Sequence, residues 1–394
     1  MPVNFPEIQQ QIRQMGAAAP TARALRDERL KIARQLLTDF SENLEALQQR
    51  IEQAAALVQN LRCAAPAGEP LLAVRPLPVQ TPLCTLLAAD GSQINPNRHD
   101  PVEYCVINLG AFRMQPGQRV VPTEITRTSL FYGKDLHTAE GPLTEEIVAM
   151  RRDSLERSLL AELAEKESGP VLALTDGPME PFRPPAPSPI YNEQLANFIA
   201  ALGRLHKMGA VSAGFVDKPA SDLVVRMLEL MLLPESDLRQ AGTSRPLQGV
   251  SDAGMFSTFL PAGARTAVFA IQSHQTLKIF NGDLALNFFY LNVSAEGQKP
   301  WLARVEIPAW VAADPAKLDA LHAVLIQQCQ VLGGRSYPYA LHRAHEVAVI
   351  SFDEKNQLTS LIQAELARNG VEMGEASHKQ ENKDHFGPKT RTPR

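Results

Sequence analysis

A chain of 394 residues has room for one large domain or two ordinary ones, and 44% hydrophobic against 21% charged residues is the balance of a soluble globular protein. A formal charge of −4 excludes a polycationic coat that binds nucleic acid by overall charge, so a nucleic-acid partner has to be held by a local patch or channel. The four cysteines, Cys63, Cys84, Cys105 and Cys329, form no C-x-x-C pair, and neither a basic-then-apolar leader nor an apolar run of about 18 residues occurs; reduced thiols, a cytoplasmic location and no membrane are expected.

Apolar residues at Leu30, Ala33, Leu37, Phe40, Leu44, Leu47, Ile51, Ala54, Val58 and Leu61 step by three and four. That spacing predicts a long N-terminal helix with a coiled-coil stripe, about 50 Å long over residues 27–62. Such a rod either folds back on its own domain or serves in dimerisation or docking. Residues 1–66 are assigned to this helical, coiled-coil segment. The Pro-rich stretch at 65–82 reads as a linker into a mixed α/β domain over 67–373.

Three strands are predicted next, "PLCTLLAAD" (82–90), "EYCVINLGAFRM" (103–114) and "RVVPTEITRTSLFYG" (119–133), close enough in sequence to be antiparallel neighbours. A helix over 143–169 with Gly169 as its cap leads into a fourth strand, "PVLALTDGPM". The first and fourth strands both end on Asp-Gly, at Asp90 and Asp176. Asp-Gly is by itself a turn signal, but its repetition after two apolar runs also suits a site built from two strand ends. Three strands, a helix and a fourth strand is the order of a ribonuclease-H-like core, in which the first and fourth strands are neighbours, so by fold analogy the two acids meet. The expected fold class is α/β, a ribonuclease-H-like mixed sheet flanked by helices, with the long N-terminal helix added. A Pro-rich loop (179–194), a helix around Leu195–Met208 and strands at 210–218, 266–273, 286–294 and 302–310 complete the domain. The polar tail 374–394, with a net charge of +2, is expected to be disordered, adding weak affinity for DNA or simply being solvated.

Two carboxylates brought together repel unless a cation lies between them. An oxygen-rich pair selects Mn²⁺ or Mg²⁺, and the chemistry such ions support is phosphodiester hydrolysis. The helix offers a third acid, either Asp153 or Glu156. Glu156 sits at the edge of the apolar stripe, where it either reaches over the sheet or pairs with Arg152 on a solvated face. Arg152, with Arg151 and Arg157 beside it, is a candidate for holding DNA phosphates. Lys218 after a strand is another, or else an ion-pair partner of Asp217. Near the C-terminus, Tyr337, Tyr339, His342, Arg343 and His345 fall within nine positions. A histidine there suits metal ligation or proton transfer, a tyrosine or Arg343 suits a phosphate, and a semi-buried packing role suits either histidine. Neither a P-loop, G-x-G-x-x-G, H-E-x-x-H nor G-x-S-x-G motif occurs.

In this order, "AADGS", "RRDSLE", "TDGPM", "GFVDK", "FFYLNV" with "ARVEIPAW", and "YPYALHRAH" resemble the successive blocks of the NurA nuclease family, from about Leu83 to about Gly370. The resemblance implies a ribonuclease-H-like, Mn²⁺-dependent deoxyribonuclease, with Mg²⁺ as an alternative ion. It would process DNA ends in double-strand break repair, as a 5′–3′ exonuclease and single-strand endonuclease, as a homodimer with a HerA-type hexameric ATPase. It implies Asp90, Glu156, Asp176 and His345 as metal ligands, these four and Tyr337 as the catalytic set, and it prefers His345 to His342; Asp153 stays open as the helix acid. A dimeric adaptor with a weak site, docking a DNA-translocating ATPase and guiding DNA, is a second reading. Action on RNA or hybrids is a third.

Overall fold

Asn43 interrupts the expected N-terminal rod. Helix α1 (Phe5–Asp39) ends before it, and α2 (Leu44–Leu57) begins after it, with the Asn43 side chain accepting the Ala46 N–H. An asparagine that satisfies a free helix-start N–H favours a new helix over continuing the old one. The apolar stripe survives the break, with Ala33 and Leu37 buried in α1 and Leu47, Ile51 and Ala54 in α2. Residues placed at the end of that segment form a strand instead, β1 (Arg62–Pro66).

In the computed structural model residues 4–99, 102–138, 141–333 and 336–371 are described. The tail expected to be disordered lies outside them. After β1 come β2 (Thr85–Ile94), β3 (Tyr104–Met114), β4 (Thr123–Tyr132), the short ribbon β5 (His137–Thr138) and β6 (Gly141–Pro142), α3 (Glu145–Ala164), β7 (Val171–Asp176) and α4 (Pro189–Lys207). The chain continues through β8 (Val211–Val216), α5 (Leu223–Leu232), α6 (Asp252–Phe256), β9 (Phe269–Ser273), α7 (His274–Ile279), β10 (Leu286–Asn292) and β11 (Leu302–Pro308). Helices α8 (Ala309–Ala312), α9 (Pro315–Val331), α10 (Tyr339–Ala348) and α11 (Phe352–Arg368) close it. None of the described helices is long and apolar enough to cross a membrane.

Two compact units divide the chain. The unit formed by Leu83–Thr175, Pro181–Ala210 and Ala340–Arg394 contains the expected core. Strands β2, β3 and β4 are antiparallel neighbours, and β7 runs parallel to β2 with Thr85–Ala89 opposite Val171–Thr175. Two local readings change. Strand β2 runs straight through Asp90 and Gly91 to Ile94, so there is no turn at that Asp-Gly pair; Gly177 does turn, with φ 79°. Helix α3 ends at Ala164 with Glu165, not Gly169, as its cap. Helix α4 starts six residues earlier than Leu195, because the Ser188 hydroxyl caps it and Pro189 suits its first position.

The other unit, Met1–Pro82, Asp176–Glu180 and Val211–Tyr339, carries the antiparallel order β1-β9-β10-β11-β8. Its core is aromatic: Phe256, Phe269, Phe288 and Tyr290 are fully buried and in mutual ring contact. Helix α5, apolar on nearly every side, is buried from Leu223 to Leu230.

Candidate active site

Alternation along β2 decides which side chains face which helix. Asp90 and Ser92 project towards α10, where the Ser92 hydroxyl donates to the Ala348 carbonyl at 2.5 Å. Asn108 on β3 donates to the same carbonyl at 2.8 Å and accepts from the Thr128 hydroxyl at 2.7 Å. A glycine is required where helix meets strand: a Cβ at Gly110 would lie 2.5 Å from the Ala344 carbonyl oxygen and 2.8 Å from the Val347 carbonyl carbon. Fixed in this way, α10 sets His345 against Asp90, with Nδ1 2.7 Å from Oδ2. A carboxylate oxygen accepts, so in this contact Nδ1 is the donor and Nε2 points away from Asp90. The second Asp90 oxygen accepts the Gly91 N–H at 2.8 Å.

From the opposite face α3 brings Glu156. Gly91 leaves room for it, since a Cβ there would stand 2.6 Å from Glu156 Oε1 and 2.7 Å from Arg152 Cγ. Glu156 is buried, and burial first, then the neighbouring carboxylates of Asp153 and Asp90, push its carboxyl up to about 8, against the opposing pull of Arg152 and Arg157. Arg152 bridges the helix acids, 2.8 Å from Asp153 and 3.3 Å from Glu156. The i−4 pairing considered from sequence is therefore present, but on a buried glutamate and not on a solvated face. Arg343 is engaged as well, bonded to Glu124 and, at 2.5 Å, to Glu346.

Of the remaining sequence candidates, Asp176, Tyr337 and Lys218 belong to the other unit and His342 to this one. Asp176 is the last residue of β7. Tyr337 packs edge-on against Phe215, with ring centroids 5.7 Å apart. Lys218 is exposed and has the left-handed backbone φ of 47°, beside Asp217, whose carboxylate accepts the Trp301 indole N–H at 2.7 Å. His342 lies 3.6 Å from Glu346. From sequence Gly91 reads only as part of a turn signal, and Gly110 and Asn108 draw no role; the available signal was glycine inside two apolar strands, which marks close approach of another element.

Asp90 with the His345 imidazole on it, and the buried Glu156 carboxyl set against Gly91, offer oxygen and nitrogen donors of the kind a hard or borderline divalent ion takes. Burial is the first cause of the raised Glu156 carboxyl, ahead of the Asp153 carboxylate, and a divalent ion beside it would favour its charged form, so the donor chemistry suits one. Among the described residues no three His, Cys, Asp or Glu side chains are gathered as a ready metal cluster.

Comparison with known proteins agrees with the architecture. The family model of the NurA domain matches residues 84–350. The NurA nuclease from Sulfolobus solfataricus is similar in structure, with a TM-score of 0.50 at 13% identity over 75% of this chain and 88% of that one. The catalytic domain of human Endonuclease V aligns with a TM-score of 0.34 at 15% identity, over 78% of this chain and 94% of that one. No curated protein matches the chain.

Proposed function

Because the chain belongs to the NurA family, we propose that it is a nuclease, and specifically a Mn²⁺-dependent deoxyribonuclease, with Mg²⁺ as the alternative ion. The observation that carries this reading is the buried Glu156 carboxyl set against Gly91, the residue after Asp90, with Asp90 itself bonded to His345. Asp90, Glu156 and His345 would hold the ion. Asp176 enters through the family resemblance alone. A bound divalent ion supplies charge neutralisation for a phosphodiester and acidifies a water for attack on it.

The chain's own groups do the rest. The Asp90 carboxylate fixes the His345 ring and its tautomer, presenting Nε2 as ligand or proton acceptor. Arg152 offsets the charge of Asp153 and Glu156, and with Arg343 and Lys218 it is the candidate cation for backbone phosphates. Tyr337 is assigned the scissile phosphate. In this reading the protein trims DNA ends during double-strand break repair, as a homodimer working with a HerA-type ATPase, in 5′–3′ exonuclease and single-strand endonuclease modes. The first turns of α1, exposed from Phe5 through Glu28 with Phe5, Ile8, Ile12 and Met15 at helical spacing, support a protein partner.

Labelled single-stranded DNA, duplex DNA and RNA, each incubated with Mn²⁺, Mg²⁺ or EDTA, test the reading. Metal-dependent DNA cleavage that Asp90→Ala abolishes is expected. DNA binding without cleavage under either ion leaves the adaptor reading instead, and preferential cleavage of RNA reassigns the substrate.

A further inference from the structure

Strand β11 places a carboxylate where its neighbours are Val305 and Ile307. Glu306 is 1% exposed and pairs with Arg304 at 2.5 Å. A buried ion pair is rarely more stabilising than apolar residues of the same volume, so the pair needs another reason to be there. Its free oxygen supplies one: Glu306 Oε2 accepts the Met179 N–H at 2.7 Å, inside the turn that follows Asp176.

That turn is held at each of its other joints. Gly177, at φ 79°, donates its N–H to the Phe215 carbonyl at 2.8 Å. The Glu180 carboxylate accepts from Arg62 and from the Thr276 hydroxyl, both at 2.6 Å. Gly214, the register partner of Glu306, leaves space for the turn: a Cβ there would stand 2.6 Å from the Gly177 carbonyl oxygen. All of these groups lie within one unit, so the clamp is complete without the other.

We propose that Glu306 is a positioning residue for Asp176, fixing the backbone of the Asp176–Glu180 turn so that the Asp176 carboxylate has one orientation. The inference rests on the nuclease reading for the role of Asp176, while the clamp itself is independent of that reading. Arg62 and Thr276 form its outer half and Glu306 its buried half.

Two measurements on the full chain test it. Amide hydrogen exchange of the 176–182 peptide is followed in EDTA, and cleavage of labelled single-stranded DNA is titrated with MnCl2. In Glu306→Ala the turn should exchange about tenfold faster and half-maximal cleavage should need about tenfold more Mn²⁺, the factor expected when one charge-assisted hydrogen bond is lost. Glu306→Gln, which keeps an acceptor oxygen but loses the charge, should change both by less than Glu306→Ala does. Leu291→Ala, a core truncation in the same unit, should lower the melting temperature without moving either readout. If Glu306→Ala does not fold, Arg62→Ala loosens the turn from the exposed side and is read in the same way. Unchanged exchange in the released variants, or an equal change in Leu291→Ala, overturns the clamp. Altered exchange with an unaltered Mn²⁺ requirement overturns the positioning role. A wild type that cleaves with neither Mn²⁺ nor Mg²⁺ overturns the nuclease reading, and the exchange data then judge the clamp alone.

Discussion

Replacing Glu156 by Gln should stabilise the metal-free protein and at the same time remove its response to metal. The folded carboxyl titrates near 8 against an ordinary value of 4.5, because burial and the Asp153 and Asp90 carboxylates disfavour its charge. Below pH 4.5 both folded and unfolded chains hold the proton, and the group contributes no difference. As pH rises from 4.5 towards 8 the unfolded chain releases a proton that the folded protein keeps, so stability falls. Roughly 2.5 pH units to neutrality at about 1.4 kcal/mol each make the penalty roughly 3 kcal/mol at pH 7. Glutamine has the same shape and no charge to bury, and its amide oxygen still accepts from Arg152. Urea melts in EDTA at pH 4.5, 6, 7 and 8 should show Glu156→Gln gaining on wild type steadily with pH. Adding MnCl2 should then raise the midpoint of wild type and leave that of the variant in place. If the variant is no more stable than wild type at pH 8 in EDTA, the buried carboxyl carries no such penalty and the electrostatic account of the site is wrong.

Gly91→Ala sets a methyl 2.6 Å from Glu156 Oε1 and 2.7 Å from Arg152 Cγ, so both of these long side chains must shift to admit it. The fold should survive while the acid is displaced, with a loss of about 100-fold in cleavage rate at a nearly unchanged circular-dichroism melt; full activity would show that Glu156 need not lie against β2. The four thiols should be almost inert to Ellman's reagent at pH 8 until urea is added, because all are buried and burial pushes Cys63 up to about 12, Cys84 and Cys105 to about 11, and Cys329 upward as well. Rapid labelling of native protein would contradict that burial.

Periodicity and short connections reached the α/β class, the β2-β3-β4 meander and the position of α3, because short apolar runs and one long helical stripe constrain each segment locally; fold analogy set β7 beside β2, and the structure makes that pair parallel. It failed at the joints. The stripe across Phe40–Asn43 keeps its spacing, so nothing in its hydrophobicity announces that Asn43 starts a second helix; the cap is a side-chain choice that overrides a continuous pattern. Asp90-Gly91 reads as a turn for the same reason in reverse. Two residues that favour turns stay extended because β3 pairs with both of them, Asp90 with Gly110 and Gly91 with Leu109, and the missing Cβ is used for packing against α3.

The sequence by itself determined which residues carry oxygen, nitrogen and charge: Asp90, Glu156, Asp176 and His345 were all identifiable before any coordinates, and so was their order along the chain. Only the tertiary structure decided that His345 rests on Asp90 across 255 positions, that Glu156 is buried beside them and not solvated with Arg152, and that the turn after Asp176 is tied to Glu306. Local pattern reports burial and period, which are properties of one element. Which polar tip meets which is settled by where glycines let elements approach, and that is a property of several elements at once.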